Sequence, residues 1–133
     1  MADLTLTLRL TIVDPLPGVR YSLQKDDLPL DPRLATEEPL SFDVPVKVAP
    51  DGRLLGPFIR REGPERRFVY LCIGQLAGDC PGPWTRRAKI EVQDIPTALR
   101  SAGALLEIRL PGRGKDGTPA CATVRPLEGW RRV

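Results

Sequence analysis

The chain has 133 residues, 41% hydrophobic and 28% charged, with twenty Lys and Arg against seventeen Asp and Glu and no histidine. That length fits a single domain burying roughly two thirds of its unfolded surface, so neither a disulfide framework nor a structural metal is needed to hold a core. Without histidine, Ser-His-Asp and Cys-His nucleophilic catalysis, His-ligated metals and imidazole acid-base chemistry are excluded, while carboxylate, Lys, Tyr or Arg chemistry is still allowed but announced by no motif.

The N-terminal "LTLTLRLTI" alternates strictly: Leu4, Leu6, Leu8, Leu10 and Ile12 stand against Thr5, Thr7, Arg9 and Thr11. Period two predicts a strand with one buried face. After the turn cluster "DPLPG", a second piece, "VRYSLQ", sets Val19, Tyr21 and Leu23 against Arg20, Ser22 and Gln24. The acidic, proline-rich stretch 25–39 has no sustained period and reads as a long surface loop. "LSFDVPVKV" alternates again, and Pro45, which cannot donate to a ladder, predicts an edge strand.

Phe58 and Ile59 open a short strand, with "REGPER" as the hairpin tip. "RFVYLCI" is apolar on both parities, which predicts a central strand covered on both faces. "GQLAGDCPGPW" reads as a Gly/Pro loop and "TRRAKIEV" as a further strand. "DIPTALRSAG" carries the one helical signal, with Asp94 near the N-cap, Pro96 in the first turn and Gly103 as the stop, so one short helix is expected near 95–102. "ALLEIRL" and "ACATVR" are two more strands. The expected fold is all-β: a single-domain antiparallel β-sandwich or barrel of seven to eight strands spanning residues 1–133.

No basic leader with an apolar core is visible, nor an apolar run of membrane-spanning length, so a soluble cytoplasmic protein is expected. Cys72, Cys80 and Cys121 leave one thiol unpaired in any arrangement. They read as structural thiols of a reducing compartment, with a Cys72–Cys80 bridge as the alternative. No C-x-x-C spacing suggests zinc.

Charge is divided unevenly: residues 1–52 carry five basic against nine acidic residues, and residues 53–133 carry fifteen against eight. Sixteen of the twenty cations are arginine, eight of them in adjacent pairs. Guanidinium forks suit carboxylate and phosphate, which raises the prospect of an anion-binding face beside the plainer reading of solvated surface cations.

Four stretches are candidate sites. In "PWTRRAK", Trp84 beside Arg86, Arg87 and Lys89 forms a possible anion clamp, or a lid on the end of a barrel. In "RREGPERRFVY", Arg66 and Tyr70 lie on a basic-aromatic strand. It lacks the glycine of an RNA-recognition motif, so nucleic acid is a minor reading. In "GRGKDGT", Gly112, Gly114 and Gly117 match G-x-G-x-x-G, but "TPACATVRP" follows as a strand instead of a helix, which makes a hairpin tip rather than a dinucleotide cradle. A backbone anion nest helped by Arg113 and Lys115 is the residual possibility. The acidic set Asp26, Asp27, Asp31, Glu37 and Glu38 lacks the calcium-loop pattern and reads as solvated surface.

The phrases "RFVYL", "PWTRRAKI", "GTPACATVRP" and the following "GW" resemble a small bacterial family of unknown function, over most of the chain. The resemblance implies a stand-alone bacterial cytoplasmic protein and carries no activity, cofactor or site residue. The leading expectation is a non-catalytic module binding a small anionic ligand or a protein partner, with no metal or cofactor. The alternatives are a histidine-free enzyme using a carboxylate and an arginine in a barrel mouth, and a single-strand nucleic-acid binder. A homodimer through an uncovered edge, that of Pro45 or of the first strand, is also expected.

Overall fold

The computed structural model describes residues 3–26, 28–64, 66–77, 80–92, 95, 97–120 and 131–133. Its described residues are nearly all β, with ten strands: β1 (Leu4–Ile12), β2 (Val19–Lys25), β3 (Leu28–Leu34), β4 (Leu40–Val48), β5 (Leu54–Leu55), β6 (Ile59–Glu62), β7 (Arg66–Ala77), β8 (Cys80–Glu91), β9 (Leu105–Leu110) and β10 (Arg131–Arg132). One sheet runs β10-β9-β1-β4-β5; the other runs β3-β2-β7-β6, with β8 along the opposite side of β7. No helix among the described residues is long and apolar enough to cross a membrane.

The period-two strands behave as the alternation predicts. Leu6, Leu8, Leu10 and Ile12 of β1 and Phe42, Val44, Val46 and Val48 of β4 are buried. They join Val19, Tyr21 and Leu23 of β2 with Val69, Leu71 and Ile73 of β7 in one hydrophobic cluster fed by both sheets. β7 is buried on both faces, from Phe68 to Ile73 without a break.

Five expectations are corrected. The stretch 25–39 is not all loop: β3 lies within it, paired with β2 from Arg20↔Leu34 to Lys25↔Leu28. Its prolines and aspartates hid a strand that needs only one edge. The stretch 74–84 is likewise drawn into a long β7–β8 hairpin, paired as far as Ala77↔Cys80. The helix near 95–102 is one 3-10 turn, Thr97–Leu99. With Pro96 before it and Gly103 after, too few residues remain for an α-helical nucleus.

The sheets are not wholly antiparallel, because β9 runs parallel to β1 from Thr7↔Leu105 to Ile12↔Leu110. β9 arrives from β8 in the other sheet by a crossover, which frees it from hairpin geometry. Finally, β1 lies between β9 and β4 and offers no open edge. β4 is covered by β5 only at Lys47 and Val48. The Pro45 carbonyl faces the uncovered side, 3.3 Å from where a Cβ would stand on Gly56, so its missing N–H costs no ladder bond there. "ACATVR" lies, apart from Ala120, outside the described residues.

Two polar ties fasten the C-terminal part. Tyr21, fully buried in the core, accepts from the Leu16 N–H at 3.1 Å and donates to the Gly117 carbonyl at 2.6 Å. Gly117 has φ +90°, and a Cβ there would stand 2.7 Å from the Tyr21 hydroxyl, so only glycine brings the loop this close. On the outer face of the first sheet, Glu107 accepts from the Thr11 hydroxyl at 2.9 Å and from Arg131 Nε at 2.8 Å. Arg131 above all, with Thr11 and Arg109 helping, holds the Glu107 carboxyl below its ordinary value against the opposing effect of burial.

Tyr21→Phe should lower stability by about 1–3 kcal/mol in urea unfolding, because it strands a part-buried N–H and a buried carbonyl. Glu107 has its folded pKa depressed, so its contribution is present above the ordinary value of 4.5 and is lost as pH falls through the folded one. The stability gap between the wild type and Glu107→Gln should therefore be widest near neutrality and close in acid, which urea melts at a series of pH values will read.

Candidate functional site

The double burial of β7 creates the site. Val69, Leu71 and Ile73 fill the core, while Phe68, Tyr70 and Cys72 are buried on the opposite face of the same strand. Cations from β7 and β8 cover the two rings. Arg66 lies over Phe68 at 4.9 Å and Arg87 over Tyr70 at 4.4 Å. Lys89 reaches both, at 5.5 Å from Phe68 and 5.9 Å from Tyr70. Each guanidinium or ammonium gains from the ring quadrupole, and its stem shields the apolar surface beneath it.

Trp84 owes its position to a bulge. Ile73 pairs with Arg86 and Gly74 with Trp84, so Thr85 is the extra residue on β8. It donates from its hydroxyl to the Ile73 carbonyl at 3.2 Å. The indole lies against Gly74, where a Cβ would stand 2.9 Å from the Pro83 carbonyl and 3.1 Å from Trp84 Cε3. Arg20 of β2 lies over the indole at 4.4 Å and is anchored on the Gly82 carbonyl. Trp84 is thus a half-buried wall on the face of the sheet, not a lid on its end.

The same bulge separates Arg86 from its neighbours. Trp84, Arg87, Lys89, Arg66 and Tyr70 share the outer face, whereas the Arg86 guanidinium is paired with Asp116 of the glycine-rich loop. Arg66 and Lys89 are neutralised locally. Arg66 Nη2 binds Glu91 at 2.8 Å, and Lys89 binds Glu62 at 2.8 Å, with the Tyr70 hydroxyl donating to the second Glu62 oxygen at 2.5 Å. Lys89 first, then Tyr70, keeps the Glu62 carboxyl below its usual range. Burial, aided by Glu62, pushes the Tyr70 phenol up. Arg87 has no ion-pair partner among the described residues.

Beside Arg87 the face opens into a shallow groove of about 450 Å³, lined by Gln24, Pro29, Cys72, Trp84, Thr85, Arg86 and Arg87. Its floor is the buried pair Gln24 and Cys72, the thiol 3.9 Å from the Gln24 amide oxygen. Cys72 is free, and burial raises its pKa, with Arg87 opposing weakly. The alternative Cys72–Cys80 bridge is excluded by register. Cys72 is level with Arg87 while Cys80 is level with Ala77, five steps along β7, or about 17 Å.

The three glycine amides of the glycine-rich loop are bound within the protein: Gly112 donates to Asp14 at 2.7 Å, Gly114 to the Thr118 carbonyl at 2.8 Å and Gly117 to the Gly114 carbonyl at 3.2 Å. Arg113 pairs with Pro119 in an isolated bridge, consistent with a small hairpin tip. Among the described residues no three acidic or cysteine side chains gather in a way that could hold a metal ion.

A family model described as "Family of unknown function (DUF5990)" matches residues 6–133. No curated protein and no solved structure matches the chain.

Gly74→Ala should displace the indole, because the new methyl meets the backbone carbonyl of Pro83 as well as the ring. In a Trp130→Phe background, Trp84 emission should shift to the red and the unfolding free energy should fall by about 1–3 kcal/mol.

Proposed function

We propose, for a chain that belongs to the DUF5990 family of unknown function, a non-catalytic binding module that holds a small anionic ligand in the groove between Trp84 and Arg87. The observation that carries this reading is the division of charge along one face. Arg66 and Lys89 are satisfied by Glu91 and Glu62, whereas Arg87, seated on Tyr70, turns a fork toward the groove with no carboxylate answering it among the described residues. An arginine whose stem is fixed by a ring loses little entropy on binding an oxyanion, and the fork matches carboxylate or phosphate in two bonds. Trp84 supplies a flat wall and Gln24 and Thr85 supply polar atoms, as small-ligand sites require.

Two other readings are weaker. The carboxylates on this face, Glu62 and Glu91, are both bound to cations and neither lines the groove, which favours binding over acid-base catalysis. Phe68 and Tyr70 are only 5% and 6% exposed beneath their cations, so a nucleobase would have to displace Arg66, Lys89 or Arg87 before it could stack. The same proposal takes the two sheets as an open β-sandwich forming one domain around the shared cluster. A cytoplasmic location suits the free, buried Cys72 thiol.

A thermal-shift screen over inorganic phosphate, citrate and aromatic carboxylates tests the proposal. A ligand at 100 times its Kd adds about 2.7 kcal/mol, which is on the order of 10 °C in Tm for a domain of this size. Arg87→Gln and Trp84→Ala should abolish the shift while Arg66→Gln preserves it. A screen in which no probe raises Tm, or in which Arg66→Gln is as damaging as Arg87→Gln, contradicts the assignment.

A further inference from the structure

β3 is the one long strand that contributes nothing to the hydrophobic cluster. It carries Leu28, Leu30 and Leu34 at 72%, 45% and 52% exposure, three of the five large hydrophobic residues left in solvent among the described residues. The register explains why. Leu30 pairs with Leu23, a core residue, and Leu28 with Lys25, so Leu28 and Leu30 point to the core side of the sheet but overhang its rim. Beside them lies a cavity of about 410 Å³ lined by Lys25, Asp26, Leu28, Pro29 and Leu30. A projecting leucine and a hole lined by leucine and proline thus occupy the same short segment, with Leu28 belonging to both.

We propose that this ridge is the contact between two copies of the chain, each inserting Leu28 into the cavity of the other about a two-fold axis. A two-fold interface must be self-complementary, and here knob and hole belong to one short segment. Charge follows the same rule. Lys25 and Asp26 are exposed at one end of the strand, and Asp31 with Arg33, 3.6 Å apart, stand at the other. When two β3 strands meet in opposite directions, each mixed pair faces the other mixed pair, so neither sign is left against itself.

The contact is side chain to side chain, not sheet extension. The Leu30 carbonyl turns inward to accept from the Ser22 hydroxyl at 2.5 Å, which sends the Pro29 nitrogen to the free edge, where it has no proton to donate. That blunts open-ended strand addition and leaves a closed pair as the outcome. Pro29 lines both the cavity and the groove, but the contact uses neither Trp84 nor Arg87, so the two proposals are tested by different substitutions.

Sedimentation velocity on the full chain, from micromolar to millimolar concentration, tests it. The wild type should shift reversibly to twice the mass of one chain. Leu28→Asp with Leu30→Asp should stay monomeric by mass and keep the wild-type circular dichroism spectrum. Leu55→Asp, an exposed leucine of the other sheet, should dimerise as the wild type does. A wild type that is monomeric at every concentration overturns the proposal, and so does a dimer that survives the double substitution.

Discussion

The architecture turns on a strand that must be buried twice. β7 sends Val69, Leu71 and Ile73 into the core and Phe68, Tyr70 and Cys72 the other way, yet among the described residues no second sheet lies over that outer face. Leaving two aromatic rings in water would forfeit on the order of 25 cal/mol for every square ångström of apolar surface. The cover is made from the stems and heads of Arg66, Arg87 and Lys89, each over a ring face at 4.4–5.9 Å. The charges that this brings together must then be answered. Glu62 and Glu91 do so at the β6 end, whereas Arg87 meets no such carboxylate among the described residues.

Most of the first sheet was legible from period two alone, because one of its faces is core and the other solvent. The unbroken apolar run in "RFVYLCI" also announced a strand covered on both sides. What covered it was less visible, since Arg87 and Lys89 act from a neighbouring strand and only cross-strand register shows which ring each meets. β3 was hidden by Pro29, Pro32 and Asp31, residues depleted in strands in general but tolerated on an edge that pairs on one side only. The β7–β8 hairpin was hidden in the same way by glycines and prolines.

The candidate site shows a sharper limit. Simple alternation along β8 groups Trp84 with Arg86 and sends Arg87 and Lys89 to the opposite face. Thr85 reverses that grouping by inserting one residue into the ladder, and Gly74 makes room for the indole that results. The candidate residues therefore came together by a bulge that no propensity encodes. Arg20 and Gln24, absent from the sequence-based candidates, complete the face from β2. Their outward parity opposite Tyr21 and Leu23 was the only available sign. Of the glycines of "GRGKDGT", Gly117 ties the loop to Tyr21 and Gly112 ties it to Asp14, while Asp116 of the same loop holds Arg86.

On the proposed reading an anion is received at Arg87, which no carboxylate answers among the described residues, and not at Arg66, which Glu91 holds. Nitrogen-15 correlation spectra that resolve arginine Nε–H and indole Nε1–H groups, recorded during a citrate titration, test it most directly. Saturable shifts are expected at Arg87 Nε–H and Trp84 Nε1–H with the Arg66 signal unmoved. Shifts of equal size at Arg66, or shifts centred on residues 112–117, would contradict it.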